Sequence, residues 1–272
     1  MIFMDFSIII LNFNTRKITD NCLQAIFKNC NPNNTEVILV DNGSTDNSAE
    51  FFRKKYVNKI NLIINERNYG FGRGNNKGAR FARGKILFFL NSDTLIVNNI
   101  FKRVYKIFNT YPEVAVLAPR LLLADGGLQP YVCGSFPDIA DLIANKIKKE
   151  RRPNNSLFFC DWVSGAAMFV RNNVFWEAGG FDEDYFMYFE DIDLCKKLKN
   201  NNYQIALEPR IKVTHLVASS STDNENLKKM YFDSQDLFFS KHYGFGRLFL
   251  LKICRQLYKM YLRCKHELLR YL

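Results

Sequence analysis

The sequence predicts an α/β fold of the doubly wound type. Three observations carry this. Short, unbroken apolar runs recur at Phe6–Phe13 (FSIIILNF), Glu36–Val40 (EVILV), Asn61–Asn65 (NLIIN) and Lys85–Leu90 (KILFFL). Runs with no polar alternation suit strands covered on both faces by helices. Segments of helical spacing alternate with them, the pattern of βαβ units with right-handed connections. Polar residues gather where each run ends: Asn12 and Asn14, Asp41 to Asp46, Asn65 to Asn68, and Asn91 to Asp93. Open α/β sheets bind ligands beyond the carboxyl ends of their strands, so topology alone places a site there.

The helices follow in order. Thr19 to Cys30 puts Cys22, Leu23, Ile26 and Phe27 on one side. Ser48 to Tyr56 has Asp46 or Ser48 as its cap. Asn75 to Arg83 is entered through a glycine-rich loop, and Ile100 to Thr110 is amphipathic. Further on, Ala115–Leu123 reads as a strand and Asp125-Gly126-Gly127 as a turn. Asp138–Arg152 is polar and basic, a surface helix or mobile loop. Asp161–Val170 returns to strand character, Gly179 to Asp182 is a turn, Asp191–Asn201 a helix and Tyr203–Leu207 a strand.

Composition narrows the class. The 272 residues are 47% hydrophobic with 25 Phe and 13 Tyr, enough for the core of one large domain with a small appendage and too apolar for disorder. Seven scattered cysteines include no C-x-x-C pair. That argues against a zinc ribbon or a disulfide framework and suits a reducing cytoplasm. The first residues, Met-Ile-Phe-Met-Asp-Phe, lack a basic region and a small-residue cleavage site, so no signal peptide is expected. No uncharged apolar run reaches the length of a membrane span, which leaves a soluble or peripheral protein. The net charge of +11 is concentrated at one end: Lys241, Arg247, Lys252, Arg255, Lys259, Arg263, Lys265 and Arg270 face one acid, Glu267. A nucleic-acid binder spreads such charge over its binding face, so no nucleic-acid partner is expected.

Several segments hold residues able to do chemistry. Asp41-Asn42-Gly43-Ser44-Thr45-Asp46 follows the second strand. Its acid can accept hydrogen bonds from a base or ribose, and the turn before a helix suits phosphate. Taken alone, it is equally a tight turn with a cap. The segment Asn68-Tyr69-Gly70-Phe71-Gly72-Arg73-Gly74-Asn75-Asn76-Lys77-Gly78 lets a ligand approach the backbone, with Arg73 or Lys77 in reach of phosphate. It follows the third strand, whereas a dinucleotide fingerprint would follow the first. Asn91-Ser92-Asp93 offers one carboxylate for a divalent cation. Glu190, Asp191 and Asp193 lie among Tyr185, Phe186, Tyr188 and Phe189, a setting that raises carboxyl pKa values and suits a base. The same acids also suit the first turn of a helix. His215, one of three histidines, follows a short strand and could meet Asp93 across the sheet.

In this order, these segments resemble a family 2 glycosyltransferase of GT-A fold, rhamnosyltransferase-like. The series is Asn12, Asp41 to Asp46, Asn68 to Gly78, Leu90 to Asp93, Val163 to Ala166, Gly180 to Glu183, Phe186 to Leu194, then His215, and it spans about Ser7 to Ser221. The resemblance implies a Rossmann-like mixed sheet flanked by helices, with a catalytic domain over residues 1–222. It implies that Asp41 reads the base or ribose with support from Asn68, and that Asn12, Asn42, Gly70, Arg73, Asn76, Asn91 and Ser92 complete the nucleotide-sugar side. Asp93 and His215 would hold Mg²⁺ or Mn²⁺, Asp191 would be the general base, and Glu190, Trp162, Ser164 and Gly165 would face the acceptor. Two departures stand out: Asn91 replaces the first acid of the D-x-D element, and Asn75 replaces the family's arginine. The implied reaction moves a sugar, with inversion, from dTDP-rhamnose or a UDP-sugar to a glycan hydroxyl in surface-polysaccharide synthesis. The alternatives are a non-catalytic nucleotide-sugar-binding subunit and a sugar nucleotidyltransferase. The latter lacks its glycine-rich run with Arg and Lys straight after the first strand.

Residues 223–272 read as a basic, amphipathic helical extension. Ile253, Leu257, Met260, Cys264 and Leu268 fall on one helical face, and Lys252, Arg255, Lys259, Arg263 and Arg270 on another. That pattern suits an anionic membrane surface near a lipid-linked acceptor, at the inner face of the cell membrane. It equally suits packing on the catalytic domain or in a homodimer.

Overall fold

A computed structural model describes residues 4–31, 33–139, 156–216 and 224–268. The chain runs β1 (Phe6–Asn12), α1 (Arg16–Asn29), β2 (Thr35–Asp41), α2 (Ser48–Lys55), β3 (Asn61–Ile64), α3 (Phe71–Ala79), β4 (Ile86–Asn91), β5 (Thr94–Ile96), α4 (Phe101–Thr110) and β6 (Val114–Leu122). It continues through β7 (Cys133–Gly134), β8 (Phe158–Cys160), β9 (Trp162–Val163), β10 (Ala167–Arg171), α5 (Asn172–Glu177), α6 (Glu190–Asn200), β11 (Gln204–His215) and α7 (Asn224–Leu268).

The main sheet has the order β3-β2-β1-β4-β10-β6-β11-β5, with β8 beside β11. β1, β2, β3 and β4 are mutually parallel. β10 enters antiparallel between β4 and β6, which makes the sheet mixed. The apolar runs explain the layering. Ile8, Ile9 and Ile10 are fully buried, as are Leu87, Phe88 and Phe89. Each such side chain contributes about 1.5–3 kcal/mol by leaving water. Phe88 stacks on Phe169 of β10 with ring centroids 3.7 Å apart, tying the antiparallel strand to the parallel half.

Three boundaries differ from the sequence reading. α3 begins at Phe71, so the glycine-rich segment is helix and not an entry loop. Its glycines let the helix lie close on the sheet: a Cβ on Gly78 would stand 2.7 Å from the Ile9 side chain. The strand expected over Asp161–Val170 breaks at Ser164–Ala166, leaving β9 paired with β7 and β10 paired with β4. The strand expected over Tyr203–Leu207 runs on to His215 past an irregularity between Glu208 and Lys212. Pro209 and the charged residues there interrupt the apolar pattern without ending the strand, as bulges do. Most of the Asp138–Arg152 segment, and the 222/223 boundary, lie outside the described residues.

The extension is α7, and it reverses at Gly244 (φ 79°, ψ 173°). Its first segment packs Phe238 and Phe239 into a second small core with Tyr185, Phe189 and Ile192. The first segment of the extension is therefore docked on the domain, on the turn that leads into α6. No helix among the described residues is long and apolar enough to cross a membrane.

Candidate active site

The strand ends converge as the topology requires. Asn12, at the end of β1, donates from Nδ2 to Asp41 Oδ2 (2.9 Å) and accepts at Oδ1 from Thr19 Oγ1 (2.7 Å). Asp41 Oδ1 accepts the Ser44 N–H at 2.8 Å. Asn42 joins β2 to the segment after β3: its Nδ2 donates to Asn68 Oδ1 (2.8 Å), and its Oδ1 accepts from Asn65 Nδ2 (2.9 Å). Asn12, Asp41 and Asn42 are each at most 1% exposed. In this arrangement they shape the loops of the site from beneath.

Gly70 links this network to the acid-bearing turn. It has φ +83°, and a Cβ there would sit 2.2 Å from Phe186 O. The next residue, Phe71, donates its N–H to the same Phe186 O at 2.8 Å. Gly70→Ala therefore combines left-handed strain with a backbone clash. It is expected to lower stability by roughly 1–3 kcal/mol, read as a fall in Tm; an unchanged Tm would show that the Phe186 turn yields freely.

Asp191 stands at the start of α6. Its Oδ2 accepts the Gly165 N–H and its Oδ1 accepts the Ile192 N–H, both at 2.8 Å. The break between β9 and β10 thus presents Gly165 to the acid. Burial raises the Asp191 pKa, against the lowering effect of those N–H bonds. Glu190 is 5% exposed and its Oε2 has no hydrogen-bond partner. Burial first, then the neighbouring Asp191, push its pKa well above the ordinary value. The acids are presented by backbone strain: Tyr188 (φ 71°) and Phe189 (φ 68°) are consecutive left-handed aromatic residues. Non-glycine residues persist there only where their surroundings hold them.

Here α7 supplies what holds the turn. Ser234 Oγ donates to Met187 O at 2.7 Å. His242 Nε2 lies 2.7 Å from Oδ1 of the fully buried Asp193. Lys241 pairs with Asp182 and Asp184 at 2.6 and 2.7 Å. Packing of the tail on the catalytic domain is one of the two readings the sequence leaves open, but these contacts are not legible in it, because nothing local in Ser234 or His242 points at a partner 47 or 49 residues away.

Asp93 and His215 meet as expected, with Nε2 3.0 Å from Oδ1. The other ring nitrogen, Nδ1, lies 2.8 Å from Gln129 Oε1. Gln129 was not foreseen; it follows the Asp125-Gly126-Gly127 turn and carries no signal of its own. The Gln129 oxygen on Nδ1 fixes the ring and leaves Nε2 towards Asp93, as second partners do at metal sites. No group of three or more metal-binding side chains occurs among the described residues. The pair offers one carboxylate oxygen and one ring nitrogen to a divalent cation, whose remaining positions ligand oxygens and water would fill. Ser92 Oγ lies 3.4 Å from Thr15 Oγ1, and Asn91 leads into the same corner.

The structure leaves other expected residues elsewhere. Asn76 is 3% exposed, and its side chain bonds Phe181 N, Phe181 O and Glu183 Oε1, so it staples the Gly180–Glu183 turn and faces no open site. Arg73 pairs with Glu183 at 3.4 Å and lies over the Tyr69 ring, in a cavity of about 250 Å³ shared with Lys77 and Arg80. Trp162 donates from Nε1 to Ser135 O (2.9 Å), and Ser164 donates its backbone N–H to Val132 O (2.8 Å); both stand on the Gly165 side of Asp191.

Comparisons with known proteins give the family. The model of the family described as "Glycosyl transferase family 2" matches residues 7–176. The chain belongs to glycosyl transferase family 2. This family 2 glycosyltransferase is 25% identical over 250 residues to a low-salt glycan biosynthesis hexosyltransferase of Haloferax volcanii, covering 89% of the chain and 77% of the relative. It is 26% identical over 215 residues to the N-acetylglucosaminyl-diphospho-decaprenol L-rhamnosyltransferase of Mycobacterium tuberculosis, covering 68% and 67%. A mannosyltransferase of Pyrobaculum calidifontis, solved with GDP-Man and Mn²⁺, shares the fold with a TM-score of 0.61 at 15% identity, over 88% of this chain and 64% of that one. The transferase thus has the GT-A architecture, and it spans under two thirds of that solved structure.

Proposed function

We propose that the transferase moves a sugar, with inversion, from a nucleotide diphosphate to a glycan hydroxyl, with Asp191 as general base. The observation that carries this is Asp191 itself: a carboxylate with a raised pKa, held by two N–H donors beside Glu190, whose Oε2 has no hydrogen-bond partner, and across the strand ends from the Asp93–His215 pair. Asp191 takes the proton of the attacking hydroxyl, and the new C–O bond forms as the bond to the diphosphate breaks. Glu190 orients the acceptor, with Trp162, Ser164 and Gly165 on the same side. The network of Asn12, Asp41, Asn42, Asn68 and Gly70 shapes the nucleotide side, and Arg73, Asn91 and Ser92 border it. Asp93 and His215 would hold Mg²⁺ or Mn²⁺, which supplies charge neutralisation for the departing diphosphate.

The rhamnosyltransferase among the relatives favours a rhamnose donor, and dTDP-rhamnose or a UDP-sugar is the donor that the motif series implies. The diphospho-decaprenol acceptor named for the mycobacterial relative favours a lipid-linked glycan as acceptor, and the basic tail favours a reaction in the cytoplasm at the inner face of the membrane. Calorimetric titration with UDP and dTDP, each with and without Mn²⁺, tests the donor side. Binding of one nucleotide is expected to depend on metal and to fall at least about tenfold in Asp93→Ala, as the loss of a charged metal ligand implies. Equal binding without metal, or in the variant, would remove Asp93 from this role. Failure of the folded protein to bind any nucleotide diphosphate would favour the non-catalytic alternative.

A further inference from the structure

We infer that the outer face of α7 beyond Gly244 is a docking surface for an anionic lipid bilayer. This names the partner of the tail, and it rests on the proposed function only for placing a lipid-linked acceptor nearby. Gly244 turns the chain back, and Lys252 and Arg255 of the second segment both pair with Asp236 of the first, at 3.4 and 2.8 Å. The second segment buries Leu248 and Leu251 against the first. The opposite face stays open: Phe245, Phe249, Ile253, Leu257, Met260 and Tyr261 are each at least 40% exposed. From Phe249 on they recur every three or four residues, so they form one continuous stripe along the helix. The stripe that sequence periodicity marked at Ile253, Leu257 and Met260 is therefore uncovered. A contiguous apolar face of this kind marks an interaction surface.

Charge decides the occupant. Past Phe245 the chain carries Arg247, Lys252, Arg255, Lys259, Arg263, Lys265 and Arg270 against the single acid Glu267. Two of the seven share Asp236. A second copy seated symmetrically on the stripe would bring two strongly basic segments together, which like-charge repulsion disfavours. An anionic headgroup layer meets both parts: cations at the phosphates, apolar side chains at the acyl boundary. The other segment of α7 grips the strained turn before Glu190 and Asp191. A bilayer bound on the outer face would thus be one helix pair away from the base.

Vesicle co-sedimentation of the full chain tests this, with phosphatidylcholine alone and with added phosphatidylglycerol. Binding is expected with the anionic vesicles only and should weaken with salt. The triple variant Phe249→Gln, Ile253→Gln, Leu257→Gln should bind about tenfold or more weakly. Its exposed positions should leave Tm unchanged, so misfolding is separable. Absent binding by the folded wild type, or undiminished binding by the variant, overturns the proposal. So does a solution dimer that the triple variant splits, which would assign the face to a second copy. Nucleotide titration of the wild type keeps the two readings apart: vesicle binding without nucleotide binding would count against the transferase mechanism alone.

Discussion

Asp191→Asn is expected to lower turnover by about two to four orders of magnitude while leaving nucleotide affinity nearly unchanged. The substitution keeps the shape of the side chain but removes its ability to take a proton. It also forces an NH₂ group towards one of the two N–H donors, Gly165 or Ile192, that now point at the carboxylate. A modest loss of stability should accompany it, so nucleotide titration serves as the control for folding. In the wild type the acid limb of the kcat/KM profile should lie above the ordinary carboxylate range of about pH 4, because burial raises the Asp191 pKa and a base works only above its pKa. Full turnover in the variant would remove Asp191 from the base role.

Glu190→Gln should make the protein more stable at neutral pH by on the order of 1–3 kcal/mol while lowering activity. Glu190 is buried, Oε2 has no partner, and its folded pKa is well above the unfolded one. Between those two values the native state binds more protons than the unfolded chain, so stability falls as pH rises through the window. Glutamine has no charge to bury, and it relieves Asp191 of a like-charged neighbour. The stability gained should therefore shrink as pH falls to the ordinary glutamate range near 4.3, where wild-type Glu190 is protonated in both states. Thermal unfolding of both proteins across pH checks this. A variant less stable than wild type at pH 7 would mean that Glu190 is charged and well solvated in the native state. A stability cost at the site is what an acceptor-orienting acid implies, since functional groups are held against the preferences of the fold.

The parallel half of the sheet was legible because its residues state their surroundings directly. A run such as Ile8–Ile10 admits no solvent face, and the polar residues that end such runs mark the edge where a ligand binds. The pairing of Asp93 with His215 was legible as a pair of residue types at two strand ends, and the two meet at 3.0 Å. The start of α3 was not, because glycine is ambiguous. The same residue that frees a loop also lets a helix lie close on a sheet, and only the distance from Gly78 to Ile9 decides between them.

The sequence by itself determined the parallel half of the sheet and the residue types that gather at its strand ends, because those follow from local periodicity and strand order. Only the tertiary structure decided how the acids are held. The break at Ser164–Ala166 aims Gly165 at Asp191, Gln129 faces the second nitrogen of His215, and α7 returns to clamp the strained turn through Ser234 and His242. Each of these is a contact between segments far apart in the chain. Its energy depends on distance and burial, which no local pattern of residues encodes.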